Sequence, residues 1–230
     1  MVDFWFDPVS PYAHLAFERL PEALEGLSVD VRYRPVVFAA MLKHHGHKGP
    51  AEIEPKRAWT FRQVDWLART HGIPMDTPAE HPFNPLALSR LLWATAPDGL
   101  TPSRHACETV LRHVWRGGAS AVDPQRLEGL AALLAPRLDP NGDAAKQRLR
   151  ASTDAAIAAG VFGVPTTGAE GRLFWGFDAL PMLAALLRGD PSFDAAAWDR
   201  AGVAPPGVVR AVPATAGPPT PPDAAPAARP

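Results

Sequence analysis

Strand patterns occur near the two ends of this chain, and residues 39–159 between them carry helical patterns. Residues 2–6 and 29–33 place apolar side chains at alternate positions, which is typical of β-strands. Near the other end, residues 165–175 contain two short strand patterns around turn-forming glycines, which predicts a hairpin. Because strands need partners, we expect both ends of the chain to contribute to one sheet.

A helix is predicted between the first two strands, and another closes the folded part of the chain. Ser10 and Pro11 form a favourable N-cap and first turn for a helix over residues 12–24, which we expect Pro21 to end or kink. Asp178 suits the N-cap of the closing helix. The resulting order of β-α-β, helices and β-β-α predicts an α/β protein with a thioredoxin-like fold and a large all-helical insertion.

The same patterns predict three regions. Residues 1–38 and 160–204 should form a discontinuous thioredoxin-like domain, and residues 39–159 should form the helical insertion domain. Residues 205–230 contain nine of the 27 prolines and little apolar bulk. Such a composition does not offset the entropy cost of ordering, so we expect a disordered tail rich in Pro and Ala.

Composition and charge narrow the function classes. Hydrophobic residues make up 47% of the 230, enough for a sizeable core. The formal net charge is -1, which argues against nucleic acid or an anionic membrane as a partner. The chain has a lone cysteine, Cys107, no secretory pattern at its start and no long apolar run, so we expect a cytoplasmic protein without membrane spans.

Ser10 lies directly after the first strand pattern and at the start of a helix. Backbone N–H groups and the helix dipole favour negative charge there, so a thiolate could be stabilised. The alternative is that Ser10 is a plain N-cap, since serine is a preferred cap in general. The Val164-Pro165 bond would suit a cis peptide in a tight connection, although the trans form is far commoner at such bonds.

Histidine, cysteine and tryptophan residues offer further candidates. A metal site is one interpretation of the segment LKHHGHKG, but no H-E-x-x-H pattern or cysteine partner accompanies its histidines. An exposed loop, or a lip that supplies Lys43 and His47 to an anionic ligand, fits better. We expect Cys107 to be a buried, non-catalytic helix residue. Three tryptophans should pack the helical region or line an apolar pocket for an aromatic substrate, namely Trp59, Trp66 and Trp93.

Six segments taken together resemble one known family. In chain order they are FDPVSPYA, LKHHGHKGP, EPKRAWTFRQVDWLARTHGIP, HPFNPL, GVFGVPT and FWGFDAL. In this order and spacing, from Val2 to about Leu187, the chain is similar to the 2-hydroxychromene-2-carboxylate isomerases. That family belongs to the DsbA-like thioredoxin superfamily and is close to the kappa-class glutathione transferases.

The resemblance implies glutathione as cofactor and gives roles to the two end motifs. Ser10 would replace the first cysteine of a C-x-x-C pair and Ala13 the second, which excludes dithiol redox chemistry at this site. In the family the serine hydroxyl hydrogen-bonds the glutathione sulfur and, with the helix terminus, lowers the thiol pKa. Val164, ahead of a cis Pro165, would pair through its backbone with the cysteinyl unit, and Asp178 would meet the γ-glutamyl end.

Basic side chains complete the implied ligand site. Lys43 and Lys56 match family positions near the glutathione or the substrate carboxylate. The chain departs from the family at two positions, since His47 stands where characterised members have asparagine and Ala179 where many have arginine. Both changes touch the implied ligand site, so they bear on substrate identity and on glutathione affinity.

The activity implied by the resemblance is a cis/trans isomerisation of an aromatic-degradation intermediate, a small aromatic carboxylate. Reversible addition of glutathione thiolate turns a double bond into a rotatable single bond, and expulsion of the thiolate gives the isomer. Two alternatives are a kappa-like glutathione transferase, which would consume glutathione, and a non-catalytic thioredoxin-like binding or chaperone module. The family also suggests a homodimer.

Overall fold

Four strands form one mixed sheet in the computed structural model, which describes residues 1–203 and Gly207. The strands are β1 (Val2–Phe6), β2 (Val31–Pro35), β3 (Thr166–Ala169) and β4 (Arg172–Trp175). They lie in the order β2-β1-β3-β4, with β1 parallel to β2 and antiparallel to β3, and with β3 and β4 as an antiparallel hairpin. Both ends of the folded chain therefore meet in one sheet, which confirms the predicted fold class.

Six consecutive helices lie between β2 and β3 in the chain, as the helical patterns predict. Within residues 1–203 the helices are α1 (Pro11–Ala23), α2 (Phe38–His45), α3 (Glu54–Thr70), α4 (Leu86–Thr95), α5 (Arg104–Trp115), α6 (Pro124–Leu134), α7 (Asp143–Ala158), α8 (Leu180–Leu187) and α9 (Ala195–Gly202). None of the helices in the described part of the chain is long and apolar enough to cross a membrane.

Strand β1 lies in the interior of the sheet, and it is buried on both of its faces because side chains of α1 and α2 pack against them. Phe4 contacts Phe17 of α1, with ring centroids 6.2 Å apart, and Tyr33 of β2 at 6.1 Å. Trp5 points to the other face, where it joins a buried cluster with Met41 of α2. This alternation follows from the two-residue period of a strand. Packing on both faces therefore holds the end of β1 in place, and with it the start of α1.

Helix α1 continues through Pro21 and ends at Ala23, so the expectation that Pro21 ends or kinks it is wrong for the end point. A proline at this position removes the hydrogen bond that its N–H would donate to the carbonyl of Phe17. That carbonyl instead accepts the Arg104 guanidinium of α5 at 3.5 Å. A tertiary contact therefore replaces the missing helical bond.

Asp178 is not the N-cap of the closing helix, contrary to the sequence expectation. The cap of α8 is Ala179, which makes no side-chain cap hydrogen bond, and Asp178 lies inside the short 3-10 turn Phe177–Ala179. Its carboxylate folds back over Gly176, where an added Cβ would lie 2.5 Å from Oδ1. The 3-10 turn shifts the helix start by one residue, and this leaves the Asp178 carboxylate free of a capping role.

The chain divides into two units, residues 1–190 and residues 191–230. The second unit contains α9, whose N-cap Asp194 accepts a hydrogen bond from Ala196 at 2.9 Å, and a ring contact between Phe193 and Trp198 at 5.6 Å. The predicted tail at residues 205–230 falls outside the described residues, Gly207 excepted. The boundaries predicted for the helical insertion domain stay a prediction.

Candidate active site

Ser10 is the N-cap of α1 and is 7% exposed. Its Oγ accepts a hydrogen bond from the N–H of Ala13 at 3.3 Å, which is the ordinary role of a serine cap. The same hydroxyl donates to the carbonyl of Val164 at 3.3 Å, across 154 residues of chain. The plain N-cap interpretation therefore describes part of the geometry, and the contact with Val164 is additional to it.

The Val164–Pro165 peptide bond is cis, as the family resemblance implies. Val164 is 7% exposed and shares a buried cluster with Trp5 of β1, while the carbonyl of Pro165 accepts the N–H of Gly176 at 2.9 Å. Because β1 and β3 run antiparallel, the chain entering β3 lies beside the chain that leaves β1. This pairing brings Ser10 and Val164 together.

Two backbone donors at this contact are open. Within residues 1–203, the N–H groups of Tyr12 and Val164 donate no hydrogen bond. The N–H of Tyr12 belongs to the first turn of α1, where helix geometry leaves donors without intrahelical partners. Open donors next to a helix N-terminus favour an anion or the backbone of an extended peptide.

Asp7 holds the loop that carries Ser10. It is 1% exposed, and its two carboxylate oxygens accept the N–H groups of Val9 at 3.0 Å and of Phe38, on α2, at 2.9 Å. The Asp7 carbonyl accepts the N–H of Ser10 at 3.0 Å. Burial raises the pKa of the Asp7 carboxyl to about 6, and the two backbone hydrogen bonds act in the opposite direction. Asp7 therefore connects the loop that carries Ser10 to α2, the first helix after β2.

Two aromatic side chains fix the same loop from the other side. His81 Nε2 lies 2.9 Å from the carbonyl of Val9, and the indole N–H of Trp115 donates to the carbonyl of Pro8 at 2.9 Å. The His81–Pro82 bond is cis. Sequence analysis missed Asp7, His81 and Trp115 as site-positioning residues. The signal available for them was weak, because each acts through a tertiary contact with a backbone group.

Asp178 lies on the α1 side of the hairpin. Its charge contributes to raising the pKa of Tyr12, after burial as the larger cause, which places the carboxylate near the first turn of α1. The Tyr12 hydroxyl donates to Gln63 of α3 at 2.6 Å. Asp178 itself is exposed. An exposed carboxylate next to the first turn of α1 suits an ammonium group on a bound ligand.

The predicted basic residues lie on elements next to this site. Lys43 is on α2, His47 is in the loop after it and Lys56 is in the first turn of α3, and all three are exposed. Within residues 1–203, no hydrogen bond or ion pair joins them to Ser10. The histidine segment has ring contacts of 4.9 Å for His44 with His45 and 6.2 Å for His45 with His47. No metal-ligating cluster of three such residues occurs among the described residues.

The expectation that tryptophans pack the helical region is confirmed for Trp93 and wrong for Trp59 and Trp66. Trp93 is 6% exposed and donates its indole N–H to the carbonyl of Pro35 at 3.0 Å, so it packs the molecule as expected. Trp59 and Trp66 are 62% and 58% exposed. They lie on the outer side of α3, whose other side packs Val64 against α1. Helical spacing alone does not tell which side of a helix faces the core.

Two buried titratable side chains, those of Cys107 and His14, are poor candidates for reactive groups. Cys107 is fully buried in α5, which confirms the expectation of a buried helix residue, and burial raises the pKa of its thiol. His14 lies one turn after Ser10 and is fully buried, with Nε2 3.3 Å from the carbonyl of Pro74. Burial lowers its pKa to about 4, so the ring is neutral at neutral pH.

Comparison with known proteins finds relatives that match most of the chain. The family of the DSBA-like thioredoxin domain matches residues 1–188. The 2-hydroxychromene-2-carboxylate isomerase of Pseudomonas putida is 30% identical over 80% of this chain and 92% of its own length. Glutathione S-transferase kappa 1 of Rattus norvegicus is 25% identical over 81% of this chain and 90% of its own length.

A solved structure described as 2-hydroxychromene-2-carboxylate isomerase superposes with a TM-score of 0.69 at 24% identity, over 84% of this chain and 99% of that one. At that identity the superposition supports the fold. The match to the domain family and the 30% identity to the Pseudomonas putida isomerase go further. The chain therefore belongs to the DSBA-like thioredoxin family and, within it, to the 2-hydroxychromene-2-carboxylate isomerases, a family of isomerase enzymes.

Proposed function

We propose that this protein is a glutathione-dependent cis/trans isomerase that acts on a small aromatic carboxylate of the 2-hydroxychromene-2-carboxylate type. The observation that carries the proposal is the contact between Ser10, at the N-terminus of α1, and Val164, ahead of the cis Pro165. Names of relatives that include both this isomerase and glutathione S-transferases support the cofactor and the substrate class.

The residues at the contact fit a thiol-bearing tripeptide. Ser10 is buried, with 7% of its area exposed, and its hydroxyl proton would turn from the carbonyl of Val164 to the sulfur of a bound ligand. The open N–H of Tyr12 and the dipole of α1 favour negative charge at the same place. A thiolate held there would have a lowered pKa.

The backbone of Val164 fits the cysteinyl unit. Its N–H is open, and its carbonyl is engaged by the Ser10 hydroxyl alone among the described residues. A ligand backbone in extended conformation can therefore pair with both groups in the manner of an added strand. Pro165 would lie under the ligand, and the exposed Asp178 carboxylate would receive the ammonium group of the γ-glutamyl end.

Glutathione, when bound, would supply a nucleophilic thiolate for reversible addition to the ring-opened substrate. The chain itself orients the reactants and holds the charge. Ser10 donates a hydrogen bond where the sulfur would lie, and the exposed Lys43 and Lys56 would pair with carboxylates of glutathione or substrate. His47, exposed in the loop after α2, would select among substrates. We also propose a cytoplasmic homodimer, as the sequence expectations state.

A kappa-like glutathione transferase is the second candidate, favoured by the similarity to the Rattus norvegicus enzyme. One assay separates the two functions. We expect the purified chain to convert 2-hydroxychromene-2-carboxylate in the presence of glutathione while free thiol, titrated before and after, stays constant. Stoichiometric loss of thiol with a chlorinated aromatic electrophile, and no turnover of the chromene, would support the transferase instead. Absence of glutathione binding in a calorimetric titration would support a non-catalytic module.

A further inference from the structure

A second concave region lies apart from Ser10. It has a volume of about 680 Å³ and is bounded by strand β2, by residues 99–104 and by helix α7. Neither Ser10 nor Val164 lines it. Strand β2 is an edge of the sheet, so this groove runs along the side of the molecule that no other strand covers. Its volume falls within the range of small-molecule sites.

The groove carries an excess of positive charge. Four arginine side chains line it, namely Arg32, Arg34, Arg104 and Arg148. Asp3 pairs with both Arg32 and Arg34, and Asp98, whose side chain is 97% exposed, pairs with Arg148. Four guanidinium groups therefore face two carboxylates, in a chain whose formal net charge is -1.

Arg104 is the cation of this group that pairs with no carboxylate within residues 1–203. Its guanidinium lies 4.3 Å from the ring centroid of Phe17 and donates to the Tyr33 hydroxyl at 3.1 Å. Glu108 also lies near Tyr33, but its carboxylate pairs with Arg112. The contacts of Arg104 hold its planar group in place while leaving its charge uncompensated.

Unmet hydrogen-bonding groups occur in the same walls. The hydroxyl of Ser152 and Nε of Arg32 are buried and have no hydrogen-bond partner in the described residues. Ser152 is 5% exposed and lines the groove from α7. Buried polar atoms normally have partners, so unpartnered atoms beside uncompensated arginine indicate a polar ligand.

We propose that this groove binds a small organic anion through a carboxylate or phosphate group held by Arg104. Guanidinium groups match both oxyanions in a planar, two-point geometry. Trp93 and Leu100 supply apolar surface for the body of the ligand. The site is distinct from the proposed glutathione site and does not depend on it.

The test is an NMR titration of the full chain with two probes, sodium benzoate and inorganic phosphate, following the Nε–H signals of arginine. We expect saturable shifts of the Arg104 signal with at least one probe, and saturation by benzoate alone or phosphate alone identifies the headgroup. Arg104→Gln should raise the Kd by about tenfold or more, as expected for loss of a charge-assisted pair. Arg104→Lys, which keeps the charge over Phe17, should have a smaller effect.

Arg137→Gln serves as the matched control, because Arg137 is an exposed arginine outside the groove. It should leave the Kd unchanged. The proposal is overturned if neither probe saturates, or if Arg137→Gln weakens binding as much as the changes at Arg104. Should Arg104→Gln fail to fold, the comparison of Arg104→Lys with Arg137→Gln decides the same question.

Discussion

The Asp7 carboxylate joins two parts of the candidate site, the Ser10 loop and α2, through their backbone N–H groups. Its oxygens accept N–H groups from the Ser10 loop and from α2, and burial raises its pKa to about 6 from 3.8. Between those two pH values the folded protein binds a proton that the unfolded chain has released. Stability therefore falls as the pH rises through this window, since the native state binds more protons there.

We expect Asp7→Asn to remove this part of the pH dependence, because an amide cannot ionise. From pH 4.5 to 7.5, the free energy of unfolding of the wild type should fall relative to the variant by about 2 kcal/mol. Urea unfolding at the two pH values measures it. Asp143→Asn, at a side chain that is 92% exposed, is the control and should keep the wild-type profile. An Asp7→Asn protein with the same profile would contradict this account of Asp7.

At the scale of elements, β3 is built against the indole of Trp5. A Cβ added at Gly168 would lie 2.6 Å from Cζ3 of Trp5, which is 7% exposed and packs in the cluster that contains Val164. The strand therefore needs glycine at this position to approach β1 closely. The close packing of β3 against the Trp5 indole therefore depends on the absence of a side chain at residue 168.

Gly168→Ala should destabilise the protein by about 1–3 kcal/mol, because an overpacked core must shift Trp5. Gly129→Ala makes the same chemical change on α6, where a Cβ meets nothing within 4 Å, and should stabilise by about 0.5–1 kcal/mol. Chemical denaturation of the two variants gives both values. Equal effects of the same sign would show that the close approach of β3 to Trp5 is unimportant.

Local patterns predict the elements well, and tertiary contacts explain the errors. The alternating residues of β1 and the Ser10-Pro11 cap identify strand and helix because their signals lie within a few residues. Packing of Trp59 and Trp66 cannot be predicted from spacing, because spacing defines a stripe on α3 but not the side that packs. Where α1 continues through Pro21, the carbonyl of Phe17 accepts Arg104, which lies 83 residues beyond Pro21 and whose guanidinium no local pattern places.

At the scale of the molecule, residues near the two ends of the folded chain form the contact that we propose as the active site, and the helical stretch supports it. Ser10 and Val164 meet because β1 pairs with β3. Phe38, His81 and Trp115, all from the helical stretch, bond to the loop that carries Ser10 or to Asp7. The sequence indicates Ser10 and the Val164-Pro165 segment as candidates, but their contact follows from the pairing of β1 with β3. The supporting hydrogen bonds could not be predicted from composition or spacing.

The central claim is that Ser10 stabilises a thiolate at the start of α1, beyond its role as a cap. Its most direct test is the pKa of the thiol of bound glutathione, measured from thiolate absorbance against pH. The wild type should hold that pKa below the value of about 8.5 for a free cysteine thiol, and Ser10→Ala should raise it by about one unit, the loss of one hydrogen bond.

Ser103 offers a matched control, because it caps α5 with the same bond, Oγ accepting the N–H of Ala106 at 3.2 Å. Ser103→Ala should cost about 0.5–2 kcal/mol of stability and leave the thiol pKa unchanged. A bound thiol whose pKa is the same in the wild type and in Ser10→Ala, with glutathione affinity intact in both, would contradict the claim.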